Sequence, residues 1–186
     1  MKLSHTSKHH PLHKRRRVVQ LPMGTQRFLA AFEGLEGGFA IGASIVVALS
    51  FTNLSQQILL LTAVISIIVN GFNNASVKYS SEHYLDELDG REEKSPFRHY
   101  FIPAFIEFVS YFAISFISII PLVIMHNIQQ AVIWSVIVTL VILFVAGYYR
   151  AYILQMHRWR DALETTILGS GIILVGLVSG LFLHSL

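Results

Sequence analysis

Residues 108–149 read FVSYFAISFISIIPLVIMHNIQQAVIWSVIVTLVILFVAGYY, 42 residues without one Asp, Glu, Lys or Arg. A bilayer core takes about 20 apolar residues per helix, so this run holds two spans. His126-Asn127 marks the turn between them. A second charge-free run, the 41 residues from Gly37 to Val77, holds two more, and the 22 residues from Thr165 to Leu186 hold one. The sequence therefore predicts an all-α, polytopic membrane protein with five transmembrane helices, at about 28–50, 57–79, 100–124, 129–149 and 162–184. The overall composition agrees: 53% of residues are apolar and 13% charged, against about a quarter charged in soluble domains.

The flanks set the orientation. Residues 1–25 form a basic, histidine-containing tail without hydrophobic periodicity, expected to be disordered, and residues 26–186 form the transmembrane domain. The first apolar segment is too long for a signal-peptide core and has no small-residue cleavage site behind it, so it is read as a retained helix. All 14 Lys and Arg residues lie in the tail or at Arg27 just after it, in the charged segment 81–99 with its flanking Lys78, or around the connector at 150–160. The other two loops and the carboxyl end hold none. The positive-inside rule then puts the N-terminus in the cytoplasm and the C-terminus outside. In a prokaryote the host would be the plasma (inner) membrane. Helix two is expected to continue through Glu82–Asp89 as a solvated acidic face, with Asp86 and Glu93 on the same side, ending at the Asp89-Gly90 turn. The connector between helices four and five is expected at Arg158–Asp161. Helix four, with only Ser135 and Thr139 as interior polar residues, reads as the lipid-facing outer helix.

Several chemistries are excluded. Cysteine is absent, so there is no disulfide, thiolate metal site or iron–sulfur cluster. The one basic run, Lys14-Arg15-Arg16-Arg17, precedes a span and reads as a topology signal or a contact to anionic membrane lipids, not as a nucleic-acid site. No nucleophile elbow, zinc-protease motif or phosphate-binding glycine loop occurs, so the chain is not expected to be an enzyme or to hold a permanent cofactor.

The informative residues are polar ones inside the spans. Intramembrane carboxylates are costly and face protein or a water-filled cavity; Glu33, Glu36 and Glu107 qualify. Glu33 and Glu36 lie three apart on helix one, so they share a face. Two shielded acids that close do not both stay charged: either one holds a proton or a cation neutralises the pair. The other reading is hydration of both at the interface. Helix two carries Asn70, Asn73 and Asn74; Asn70 and Asn74 are i,i+4, and amide oxygens suit hard cations as well as interhelical hydrogen bonds. Glu107 opens a polar stripe on helix three, with Ser110, Tyr111, Ser115 and Ser118, that points into the bundle. Ala30, Gly34, Gly38 and Gly42 form a small-residue stripe for close helix packing, as do Gly176 and Gly180 on helix five.

These residues resemble the vacuolar iron transporter family. Its Asp-Gly-Leu opening corresponds to Glu33-Gly34-Leu35-Glu36-Gly37-Gly38-Phe39-Ala40, with Glu for Asp. The end of its second helix corresponds to Val69-Asn70-Gly71-Phe72-Asn73-Asn74-Ala75, followed by Tyr79-Ser80-Ser81-Glu82. Pro103 and Pro121 match its prolines on helix three; Asp161-Ala162-Leu163, Gly169-Ser170-Gly171 and Gly180 match its last helix. The likeness spans about residues 27–184. It implies a homodimer that exchanges cytosolic ferrous or manganous ions for protons. By the same likeness Glu33 keeps a carboxylate role in metal binding and Asn70 and Asn74 occupy ligand positions; the intramembrane acids Glu36 and, more weakly, Glu107 are added as candidates from their own placement in the spans. A family Met falls on Asn70 and a family Glu on Asn74, and the glutamate-rich cytoplasmic insertion is missing, so the chain resembles a diverged, short member. An oxygen-only Glu/Asn set would favour harder cations such as manganese. The resemblance thus implies a divalent metal exporter; the two Asn substitutions also admit a non-transporting membrane scaffold or partner-binding protein of the same fold.

Overall fold

The computed structural model describes residues 24–52, 54–90 and 95–185. Most of the tail at 1–25, Asn53 in the first turn and Glu93 in the acidic series lie outside the described residues. The five expected spans are present: α1 (Thr25–Leu49), α2 (Gln56–Leu88), α3 (Ile102–Ile124), α4 (Ile128–Ile153) and α5 (Arg158–His184), each long and apolar enough to cross a membrane. There is no strand among the described residues.

Local chemistry explains the ends. α2 runs without interruption past its apolar part to Leu88 and stops at Gly90, whose φ of 66° is easy for glycine. A single π-helical turn, Phe97–Phe101, leads into α3. Pro103 follows it; the wider turn relieves the clash of the proline ring with a preceding carbonyl. Asn127 caps α4, its side-chain oxygen accepting from the amides of Gln129 (3.0 Å) and Gln130 (3.3 Å). The α4–α5 connector falls at 154–157, earlier than expected. Gln155 takes a left-handed φ of 56°, and the Met156 amide reaches back to the Ala151 carbonyl (2.9 Å), which closes α4. Arg158–Asp161, expected as connector, is instead the first turn of α5, where Asp161 meets the positive end of the helix dipole.

α1 is the central and most buried span. Its small-residue stripe lets α3 approach backbone to backbone. Gly34 lies against the Glu107 carbonyl, Gly38 against Tyr111 and Gly42 against Ser115 and Ser118. On another side Gly176 and Gly180 of α5 take in Ser44 and Ala48 of α1. With lipid as solvent there is no hydrophobic drive between helices; close van der Waals contact and interhelical hydrogen bonds hold them together. The bonds are visible. Ser115 Oγ donates to the Gly38 carbonyl (3.0 Å), Ser118 and Thr139 hydroxyls meet at 3.1 Å, and Ser135 Oγ donates to the Ser118 carbonyl (2.6 Å).

That ladder corrects the expectation for α4. Ser135 and Thr139 are fully buried and join α4 to α3, so α4 is not the outer helix; α2 and α5 have the least buried apolar windows. The polar stripe on α3 points inward as expected, with Glu107, Tyr111, Ser115 and Ser118 all buried.

The packing predicts a graded response to added methyl groups. A Cβ on Gly38 would lie 2.6 Å from the Tyr111 carbonyl, whereas one on Gly171 meets nothing within 4 Å. Gly38→Ala is expected to destabilise the protein by about 1–3 kcal/mol, and Gly171→Ala to change stability by less than about 0.5 kcal/mol. Thermal unfolding of both variants in detergent checks this; equal melting temperatures would contradict the close α1–α3 packing.

Candidate functional site

The polar residues of the spans converge at the end of the bundle that carries the basic residues. α1, α2 and α3 meet there around Lys78. Its ammonium pairs with Glu33 of α1, lies 3.3 Å from Glu82 one turn along α2, and lies 3.8 Å from Glu107 Oε2 of α3. Gln26 Nε2 donates to Glu82 at 2.7 Å, tying the start of α1 to the same cluster. An open cleft of ≈ 360 Å³ runs into it, lined by Glu33, Asn74, Lys78, Ser81, Glu82 and Glu107.

The three acids are unequal. The Glu33 side chain is 49% exposed, that of Glu82 26% and that of Glu107 11%. They form a graded descent from solvent into the helices. Glu107 Oε2 is buried without a hydrogen-bond partner, which is costly for a carboxylate oxygen. One turn deeper on α3, Tyr111 is fully buried and its hydroxyl is likewise unpartnered. Its ring is gripped between α1 and α2: a Cβ on Gly71 would lie 2.7 Å from it, and one on Gly37 3.5 Å. Tyr111 is therefore packed between α1 and α2 one turn from Glu107 and does not itself line the cleft.

The geometry redistributes the sequence candidates. Glu33, Glu107 and Asn74 come together in the cleft. Glu36 does not join them. It lines a neighbouring pocket of ≈ 260 Å³ that Glu33 also borders, where Arg150 of α4 holds it at 2.6 Å. The same guanidinium donates to Asp161 of α5 (3.1 and 3.2 Å) and to Thr165 (3.3 Å), a clasp of three helices. Glu33 and Glu36 thus share the face that their i,i+3 spacing predicts and border one pocket, while each also has its own basic partner. Glu33 is also not the shielded acid the sequence suggested; it is half exposed and ion-paired, and Glu107 is the buried one. Asn70 turns back on its own helix, donating to the Ser66 carbonyl at 2.9 Å, and does not line the cleft. Among the described residues no three His, Asp or Glu side chains are already gathered as a metal site; the ammonium of Lys78 stands among the carboxylates instead. A larger groove of ≈ 460 Å³ between α2 and α3 is walled by Phe72, Phe101, Phe105 and Phe108 and carries no acid.

Sequence reasoning missed Lys78, Glu82 and Arg150 as site residues. The signal was there for the first two, an i,i+4 Lys/Glu pair just where the charge-free run ends. Arg150 stands only three residues past Gly147, at a depth where a base needs an acid partner.

Residues 74–181, more than half of the chain, match the family model described as the VIT family. No curated protein matches the chain. The matched stretch contains Lys78, Glu82, Glu107, Arg150 and Asp161; Glu33 and Glu36 precede it.

The Arg150 clasp makes a prediction of its own. Arg150→Leu strands Glu36 and Asp161, whose side chains are only 22% and 14% exposed. The variant is expected to lose about 1–3 kcal/mol, and adding Glu36→Gln is expected to restore part of it by removing one stranded charge. Thermal melts of the single and double variants measure the coupling; strictly additive effects would contradict the clasp.

Proposed function

The chain belongs to the vacuolar iron transporter (VIT) family, and from that premise we propose that it carries ferrous or manganous ions out of the cytoplasm in exchange for protons. Membership makes it an integral, multi-pass membrane protein of a metal-ion-transporting family. The finer reading is supported by one observation above all. Three carboxylates from three helices converge at the mouth of the bundle on a point where a single ammonium stands. A divalent cation in that place would match their charge more closely than the ammonium does.

The roles follow from exposure. Glu33, half in solvent, meets the arriving ion. Glu107, with its unpartnered Oε2, holds it against the helices. Asn74 offers an amide oxygen to a hard cation. Ligating carboxylates must be deprotonated, so protons arriving from the far side compete with the metal and release it. The cytoplasmic placing of this mouth rests on the distribution of Lys and Arg. A second copy of the chain completes the proposal: the outward face of α2 exposes the Asn73 amide between Phe72 and Val77, a polar group that lipid leaves unsatisfied and a partner helix would cover.

A second reading, a non-transporting scaffold of the same fold, is favoured by a different observation. Both acids of α1 already own a basic partner, and Asn70 is satisfied within its own helix.

Manganese uptake into proteoliposomes under a pH gradient separates the two. Transport is expected for the wild type, with Glu107→Gln reducing it by about tenfold or more, the worth of one charge-assisted contact, and Glu33→Gln reducing it less. Undiminished transport by Glu107→Gln would reject the assigned site. No metal-dependent uptake or binding by the wild type would favour the scaffold.

A further inference from the structure

We propose that Lys78 is a tethered counter-cation: its ammonium fills the place among Glu33, Glu82 and Glu107 that the divalent ion takes, and the two exclude each other, so that Lys78 sets the affinity of the site. The inference rests on the reading of this cleft as the metal mouth.

Geometry carries it. The ammonium reaches carboxylates of α1, α2 and α3 at once, so the point common to the three acids is already occupied by a positive charge. A metal ion ligated by two of those carboxylates would lie within about 4 Å of the nitrogen, where two cations in a half-buried site repel strongly. Both cannot stay. The buried, unpartnered Oε2 of Glu107 marks the acceptor that the ammonium, at 3.8 Å, fails to satisfy and that an ion seated deeper would satisfy.

The side chain suits the role. Lysine carries a compact charge on a flexible four-carbon stem, and the cleft leaves a solvent path past Ser81 and Glu82 by which the head can withdraw. The contrast with the pairing of Glu36, three residues along α1, is direct. There an arginine fork is fixed by four hydrogen bonds to Glu36, Asp161 and Thr165. That guanidinium is a structural clasp; the Lys78 ammonium, with one hydrogen bond to Glu33 and two longer ion-pair contacts, is displaceable. A site that closes on its own lysine when empty holds no bare acid cluster in the membrane. It also rejects monovalent ions, which bring no more charge than the ammonium they would displace.

Calorimetric titration of purified, full-length protein with manganese chloride tests this. Lys78→Met is expected to bind manganese about tenfold tighter or more than the wild type, since one competing charge is removed, and Lys78→Arg no tighter than the wild type. Wild-type binding that depends on Glu107 but is unchanged or weakened in Lys78→Met would overturn the inference and leave the metal mouth standing. Absence of binding in all three proteins would overturn both. A second measurement needs no variant. Manganese is expected to raise the rate at which an amine-directed reagent labels Lys78 in the wild type, read by peptide mass spectrometry, because the displaced head enters water; an unchanged or lower rate would overturn the inference.

Discussion

One ammonium among three carboxylates, where α1, α2 and α3 come together, is the interaction on which the rest of the molecule turns. Charge inside or beside a bilayer must be matched, because neither lipid nor packed helix solvates it. The chain meets this constraint at each acid of α1. At Glu33 the partner is a flexible lysine shared with two further carboxylates. At Glu36 it is an arginine that joins α1, α4 and α5. Two basic residues that a charge count treats alike thus hold their acids differently.

The packing holds both pairings in place. α1 can sit at the centre only because glycine at 34, 38 and 42 lets α3 come close, and glycine at 176 and 180 lets α5 do the same. The serine and threonine hydroxyls from Ser115 to Thr139 then fasten α3 to α1 and α4. α1 is thus fixed on several sides while its end near Glu33 stays open to solvent. The cleft around Lys78 ends against close-packed helices, with the buried Tyr111 one turn along α3 from Glu107.

Much of the architecture was legible in the sequence. Runs without charge gave the five spans, glycine spacing gave the close-packed stripes, and the stripe from Glu107 to Ser118 gave the inner face of α3, because each is a property written along one helix. What could not be read along one helix was which helix lies beside which. The glycine stripe of α1 signalled a close partner without naming it, and that partner is α3. Lys78 and Arg150 looked like topology signals, since their acid partners come from elsewhere in the chain, 45 and 114 residues away. Glu82 looked like part of a solvated face, although Lys78 one turn before it on the same helix marked the pair. The i,i+3 spacing of Glu33 and Glu36 placed them together, and they border one pocket; their separate basic partners sit on other helices and could not be read from α1 alone.

The most direct measurement is an anomalous difference map from crystals of the protein soaked in manganese. The expected result is a manganese peak bridging Glu33 or Glu82 to Glu107 Oε2, with the Lys78 head withdrawn into the cleft. A peak elsewhere, or a bound ion with Lys78 still seated among the three carboxylates, would contradict the central claim.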